Sequence, residues 1–429
     1  MVQLSRSMME RYEIADRRPE KIRALITGAD PLMLGGAARL LDEAGVGAVC
    51  CTGKAEHLAA QDGMFTLLIR GEGLDGKRIR EEKVVQSIAA VCPPSLEALL
   101  PYAEGIEVIF CHAGAAAELA LAAALMHARM EKGLAAPALI ELSSDGAPAG
   151  IGQAALMETL CGTLSEGDLA LARREMNYQD DFIAWAEPYL RLTIDGEVPE
   201  CIAGACSGLD YAAVCHRKER IFDAILSFCA CAGYLAGKNN YAGVLKDETL
   251  RAWIGRSFQD ELLPALPYSR EEIAPDIISA FERLENPMND MPLLDIGRNL
   301  FGRFSRSILP AIRAYAQENF EAPRHIALAL AAAIMLYAGA RPEADGSYWV
   351  ARGDEKHRIS DDPEILEAFS RFSHDMPAET LAYAALADRD IWGCDLREID
   401  GLEMRVAYDL ASIQRTGFME TLRGKAAMA

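Results

Sequence analysis

The sequence predicts an α/β domain built on a parallel sheet, followed by an all-α domain. Three observations carry that expectation. Short apolar or β-branched runs alternate with helical patterns through the first half of the chain, the rhythm of a parallel sheet covered on both faces. From residue 213 to the end, helical periodicity alone dominates. Between the two regimes lies the loop "GEVPECIAGACSG", which puts the expected domains at 1–212 and 213–429.

The elements follow in order. "KIRALIT" predicts a strand over 22–27, ending at Gly28. A helix is expected over 31–44, with Pro31 at its start, and then the strand "VGAVCC" over 46–51. "MFTLLIRG" and "KVVQSIAAVC" read as two further strands, and "IEVIFC" as a short apolar one over 106–111. The Ala-rich run "AAAELALAAALMHARMEKG" predicts a helix stopped by Gly133. "PALIEL" predicts another strand, with helices after it as far as Met176. In the second half, helices are expected over 217–236, 246–263, 270–285, 292–318, 323–338, 363–373, 378–388 and 402–422. Loops separate them, among them "NPMNDMP" and "RPEADGSYWVARGDEKHRISDDPE".

Composition narrows the function. The chain has 429 residues and a formal net charge of −21, so a phosphate backbone is repelled and nucleic acid is not expected as a partner. The apolar run from Ile326 to Ala340 is shorter than the roughly 20 residues of a membrane span. It reads as a buried core helix, and no membrane partner is expected. Eleven cysteines, an odd number, follow a polar start without a secretory pattern, so a reduced cytoplasmic chain is expected. Cys50-Cys51, Cys111-His112, Cys215-His216 and Cys229-x-Cys231 come nearest to ligand pairs. None has zinc spacing, so no metal is expected.

Three places could carry chemistry. The turn "LITGADPLMLGGA" runs from a strand through Gly28 into a helix, the arrangement that sets phosphate on a helix N-terminus. Asp30 stands two residues after Gly28. It either faces a dinucleotide, whose diphosphate it would repel, or caps the following helix. His112 ends the strand "IEVIFC", where such sheets line their ligand crevice; it is either a site residue or bonded locally. Lys218 lies three residues before Ile221, at the edge of the stripe formed by Ile221, Ile225, Phe228, Ala232 and Leu235. A desolvated lysine can exchange protons, and a snorkelling one merely reaches water.

Longer stretches resemble the long-chain mannitol dehydrogenase family, most of all its tagaturonate reductase (altronate oxidoreductase) branch. They are "AAQDGMFTLLIRG", "MNYQDDFIAWAEPYLRLTIDG", "NPMNDMPLLDIGRNLFGRFSRSILPAI", "HIALALAAAIMLYAGA" and "DRDIWGCDLREIDGLEMRVAYDL". The resemblance covers nearly the whole chain. It implies a Rossmann-like nucleotide-binding domain, a helical substrate domain, NAD as cofactor and a sugar acid as substrate, in a monomer or homodimer.

The resemblance also implies site residues, with departures. The family's catalytic lysine falls on Lys218, but its Asn and His fall on Asp223 and Leu226. Its glycine-rich first turn becomes Gly28, Asp30, Leu32 and Leu34. The basic residue ending its second strand becomes Cys50 or Cys51. Its polar cofactor-contacting turn becomes Cys111, His112, Ala113, Gly114 and Ala115. Its Lys and Arg before Ile-Leu-Pro become Arg303 and Ser307, and a histidine becomes Met291. Three functions are therefore compatible with the sequence. One is a hexuronate oxidoreductase using Lys218, with His112 or His216 polarising the carbonyl. Another is a non-catalytic sugar-acid-binding or regulatory relative. The last is a reused cleft built on Lys218, Asp223, His112 and His216.

Overall fold

The computed structural model describes residues 2–426, except 12, 73–77, 145, 148, 165, 177, 287–291, 297 and 298. Met291 and most of "NPMNDMP" lie outside the described residues. The chain divides into two compact units, Met1–Cys215 and His216–Ala429.

The first unit is built on a seven-stranded sheet. Its strands, with those of the smaller sheet beside it, are β1 (Ile22–Thr27), β2 (Gly47–Cys51), β3 (Phe65–Glu72), β4 (Arg78–Val85), β5 (Ile88–Cys92), β6 (Val108–His112), β7 (Ala138–Ser143), β8 (Gln153–Glu158), β9 (Cys161–Thr163), β10 (Ala184–Ala186) and β11 (Arg191–Ile194). The order in the large sheet is β5-β2-β1-β6-β7-β8-β11, parallel except for β11. Leaving out β11, the six parallel strands have the 3-2-1-4-5-6 order of dinucleotide folds. The chain turns back between β1 and β6, so their C-terminal ends flank the crevice where such folds hold ligand. Gly28 and His112 stand at those two ends.

Period-2 alternation builds the core on both faces of this sheet. Ala24, Ile26, Ala48, Cys50, Val108 and Phe110 pack on one side. Leu25, Val49, Cys51, Ile109 and Cys111 pack on the other. After β1 the chain forms a helix with a wide π turn over Leu32–Ala38, which continues as Arg39–Ala44. Two small residues let this helix approach the strands. A Cβ on Gly35 would stand 2.8 Å from Cys161 Cβ, and one on Gly36 would stand 3.0 Å from Met157 Cγ.

Several expectations are corrected. "KVVQSIAAVC" is not one strand: it splits at Gln86–Ser87 into β4, paired with β3, and β5, on the edge of the large sheet. Polar anchors make the break. The Gln86 N–H donates to Asp42 at 2.7 Å, and Ser87 Oγ donates to the Ala38 carbonyl at 2.7 Å. The helices expected after "PALIEL" are instead β8 and β9, with a helix only over Glu166–Glu175. Helix-forming Ala, Leu and Met in β8 are overridden by burial between β7 and β11.

The second unit is helical, with one addition. The long loop expected after Ala340 contains a three-stranded antiparallel sheet of Arg341–Pro342, Tyr348–Arg352 and Glu355–Ile359, turned at Gly353 with φ 61°. The helix expected over 292–318 is interrupted at Ile308, giving Leu300–Ser307 and Leu309–Asn319. Pro310 has no N–H for the ladder, so a new helix starts there. The central helix, Arg324–Tyr337, is buried at every residue from Ile326 onward, as the sequence predicts. The buried Glu261 carboxylate holds its N-terminus, accepting from the N–H groups of His325 and Ile326 at 2.8 Å each. No helix among the described residues is long and apolar enough to cross a membrane.

The fit at Gly35 is testable. Gly35→Ala should lower stability by about 1–3 kcal/mol through overpacking, despite its better helix propensity. Cys161→Gly in the same chain should recover part of the loss. An unchanged denaturation midpoint in the single variant would contradict this packing.

Candidate functional site

The crevice of the first unit is lined by an ion triad. His112 Nε2 lies 2.9 Å from Asp30 Oδ2, and its Nδ1 lies 3.0 Å from Glu118 Oε1. Glu118 sits in the first turn of the helix Ala116–Glu131, which leaves β6. Its Oε2 also accepts from the His112 backbone N–H at 3.0 Å and from Thr27 Oγ1 at 2.5 Å. Asp30 Oδ1 accepts from the Leu32 and Met33 N–H groups at 2.9 and 3.4 Å. So Asp30 takes up both alternatives: it caps its helix and it lines the crevice. The side chains of His112 and Glu118 are 27% exposed and that of Asp30 is 40% exposed, so the triad borders open space.

The electrostatics follow from these contacts. Hydrogen bonds donated to Asp30 and then to Glu118 raise the imidazole to about 10, against the opposing effect of burial. Burial, the largest single effect, raises both carboxylates, and the His112 hydrogen bond and charge oppose it. With the backbone donors and Thr27, they leave Asp30 and Glu118 below their ordinary values. Two carboxylates then face one imidazolium, and the cluster carries a net negative charge.

This donor set does not fit the diphosphate of a dinucleotide. Gly28, with φ 95°, keeps the tight turn. A Cβ there would already meet Asp30 Oδ2 at 3.2 Å and His112 Cε1 at 3.5 Å, so side chains fill the approach. Asp30 occupies the helix-end amides that would receive phosphate. Each further like-charge pair at 4 Å costs about 4 kcal/mol at an effective dielectric of 20, more than the roughly 0.3–2 kcal/mol a helix N-terminus returns. At the end of β2, Cys50 and Cys51 are buried thiols, and burial pushes the Cys50 thiol up to about 12. They offer no charged group to a ribose.

In the second unit, Lys218 and Asp223 come together. The helix entering this unit runs Tyr211–Lys218, a π turn over Glu219–Asp223, and Ala224–Leu235. In an uninterrupted α-helix, residues five apart lie roughly 140° apart around the axis. The i→i+5 bonding of the π turn brings them into line. Lys218 Nζ therefore donates to Asp223 Oδ1 at 2.8 Å. The two side chains are only 9% and 13% exposed, so the ammonium ends on a carboxylate rather than in water. It also lies 5.8 Å from the centre of the Phe222 ring, which receives Arg283 at 4.5 Å. Leu226 is buried.

His216, on the same helix, is bonded otherwise. Its Nδ1 is 2.6 Å from the Tyr268 hydroxyl, and Arg220 Nε donates to its Nε2 at 3.4 Å. Burial, and then the Arg220 charge, hold the imidazole below its ordinary value and keep it neutral at pH 7. Arg303 and Ser307 share one helix, where Ser307 Oγ donates to the Arg303 carbonyl at 2.7 Å.

The sequence therefore placed Gly28, Asp30 and His112 in what is one cluster, and Lys218 with Asp223 in another. It missed Glu118, although "CHAGAAAE" puts an acid in the first turn after the strand, where a helix end attracts one. It also missed Arg220, Tyr268 and Arg283. No described group of His, Cys, Asp and Glu could hold a metal ion.

The triad makes a titration test possible. The folded value of His112, about 10, lies above its ordinary 6.5. Its stabilising contribution is complete below the ordinary value and is lost as pH rises through the folded one. Those of Asp30 and Glu118, which are depressed, are lost as pH falls through their folded values. The His112 ring resonances should stay in the charged form to about pH 9. A midpoint near the ordinary value would contradict the triad.

Comparison with known proteins places this geometry. Residues 212–414 match the Mannitol dehydrogenase C-terminal domain. The chain is 28% identical over 263 residues to the altronate oxidoreductase of Halalkalibacterium halodurans, covering 58% of this chain and 51% of that protein. It is 27% identical over 279 residues to that of Bacteroides thetaiotaomicron, covering 63% and 56%. The matched stretch thus spans about half the length of these curated relatives. Among solved structures, Pseudomonas fluorescens mannitol 2-dehydrogenase, in a ternary complex with NAD and D-mannitol, aligns with a TM-score of 0.72 at 14% identity over 100% of both chains. A substrate-free D-sorbitol dehydrogenase aligns with 0.75 at 14% identity, over 98% of this chain and 100% of the other. At such identities the likeness concerns the fold. By its fold, by the match over residues 212–414 and by its similarity to altronate oxidoreductases, the chain is related to the mannitol dehydrogenases.

Proposed function

We propose that this chain recognises a sugar acid of the hexuronic or hexonic class, on an oxidoreductase scaffold whose first-turn dinucleotide site has been closed. The observation that carries the closure is the Asp30–His112–Glu118 triad at the mouth of the sheet. Similarity to altronate oxidoreductases supports the ligand class. Lys218 is the group expected to meet a substrate hydroxyl, by resemblance to the family's catalytic helix. Its neighbour Asp223 is acceptor-only, so it cannot polarise a carbonyl as an amide donor would. Leu226 can do so no better. The eleven free thiols suit a reduced, cytoplasmic setting.

A second reading is dinucleotide-dependent oxidoreduction of tagaturonate or altronate. The 3-2-1-4-5-6 strand order, the positive φ of Gly28 and the retention of Lys218 favour it. In that case the two lost donors should each lower the rate on the order of 10²–10³-fold.

Calorimetric titration of the full chain with tagaturonate, fructuronate, altronate and mannonate tests the proposal. At least one acid should bind without dinucleotide, and Lys218→Ala should weaken that binding roughly tenfold or more, as expected for a lost charged hydrogen bond. No binding of any acid at millimolar concentration would overturn the proposal. NADH-dependent turnover would favour the second reading. The double variant Asp223→Asn/Leu226→His should gain no turnover, because the diphosphate position stays blocked.

A further inference from the structure

The face of the helix that carries His216 and Arg220 is rich in donors and poor in acceptors. Arg220 Nη1 donates to the Ser307 carbonyl at 3.2 Å, and its Nε donates to His216 Nε2. No carboxylate among the described residues forms an ion pair with it. An arginine cannot accept, so His216 Nε2 must. That fixes the neutral tautomer: Nδ1 carries the proton and donates to the Tyr268 hydroxyl, 2.6 Å away. With that oxygen accepting from the imidazole, the phenolic proton is left to donate elsewhere.

The relay therefore leaves donors uncommitted: the Tyr268 O–H and the remaining N–H groups of Arg220. Around it, Arg217 lies 6.0 Å from the centre of the Tyr268 ring, and its own charge is answered by Asp276 at 3.4 Å. Burial lowers the Arg220 guanidinium from its ordinary value, and the charge of the adjacent Glu219 only partly offsets this. In a chain with a net charge of −21, a partly buried arginine with no carboxylate in direct contact among the described residues leaves its remaining N–H groups for an anion. A planar guanidinium beside a hydroxyl donor is the set that holds a carboxylate bidentately.

We propose that Arg220 and Tyr268, held in place by His216, form an anion subsite that binds the carboxylate of the sugar acid. The subsite rests on the sugar-acid reading for its ligand, but not for its anion chemistry. On that reading, the subsite supplies what distinguishes an acid from a neutral polyol.

Binding to the full chain decides this, measured by calorimetry for altronate, for the neutral polyol mannitol and for inorganic phosphate. Altronate should bind at least tenfold more tightly than mannitol. Arg220→Gln should erase that preference while leaving mannitol affinity within about twofold. Arg220→Lys should keep part of it, and Tyr268→Phe should reduce it. Unchanged melting temperatures would separate these effects from misfolding. Retention of the full preference in Arg220→Gln would overturn the subsite, as would equal loss for acid and polyol. If no sugar acid binds the native chain, the functional reading fails. The subsite then stands if phosphate stabilises the native chain but not Arg220→Gln, and falls if phosphate stabilises neither.

Discussion

His112 lies between two carboxylates, 2.9 Å from Asp30 and 3.0 Å from Glu118, at the point where the parallel sheet reverses its strand order. Much of the first unit converges on this contact. β1 delivers Thr27 and Gly28, the following helix delivers Asp30, β6 delivers His112, and the next helix delivers Glu118. In a dinucleotide fold these helix ends stay free to receive phosphate. Here protein carboxylates have taken their place. The exchange is favourable within the fold, because Asp30 meets helix-end amides, Glu118 meets the His112 N–H and Thr27, and both share one imidazolium. In the function proposed above, the consequence is exclusion of a further diphosphate charge.

A similar substitution runs through the second unit. The π turn over Glu219–Asp223 aligns Lys218 with Asp223 and commits one of the three lysine donors to a carboxylate. The scaffold around it is intact: the buried helix Arg324–Tyr337 packs against Ala224–Leu235 and Leu402–Thr416. What has changed is the polar lining. By the family resemblance, an acid stands at Asp223 where relatives carry an amide donor, and Leu226, which is buried, stands where they carry an imidazole. Arg220, meanwhile, forms no ion pair with a described carboxylate, though the adjacent Glu219 charge acts on it.

The sequence made the fold class legible because two periodicities, near 2 and near 3.6, dominate separate halves of the chain. It also placed Gly28 and His112 at strand ends, which is where the site lies. It could not show that the two strands are neighbours, since β1 and β6 are 80 residues apart and pair only through the crossover order. The contact of Asp30 with His112 is therefore invisible in the sequence. Nor could it reveal the Lys218–Asp223 contact, because five-residue spacing separates side chains on an α-helix and a π turn has no simple composition signal. β8 was misread because Ala, Leu and Met favour helices until burial between two strands overrides them. "SYWVARGDEKHRI" was passed over because its sheet is short and flanked by polar residues.

The central claim is that the triad excludes the dinucleotide, and NADH fluorescence titration of the native chain tests it most directly. The native chain should show no saturable binding up to millimolar NADH. Asp30→Gly/Glu118→Gln, which removes both carboxylates from the crevice, should bind at least about tenfold more tightly, as relief of like-charge repulsion predicts. Micromolar binding by the native chain, unaffected by the two substitutions, would contradict it.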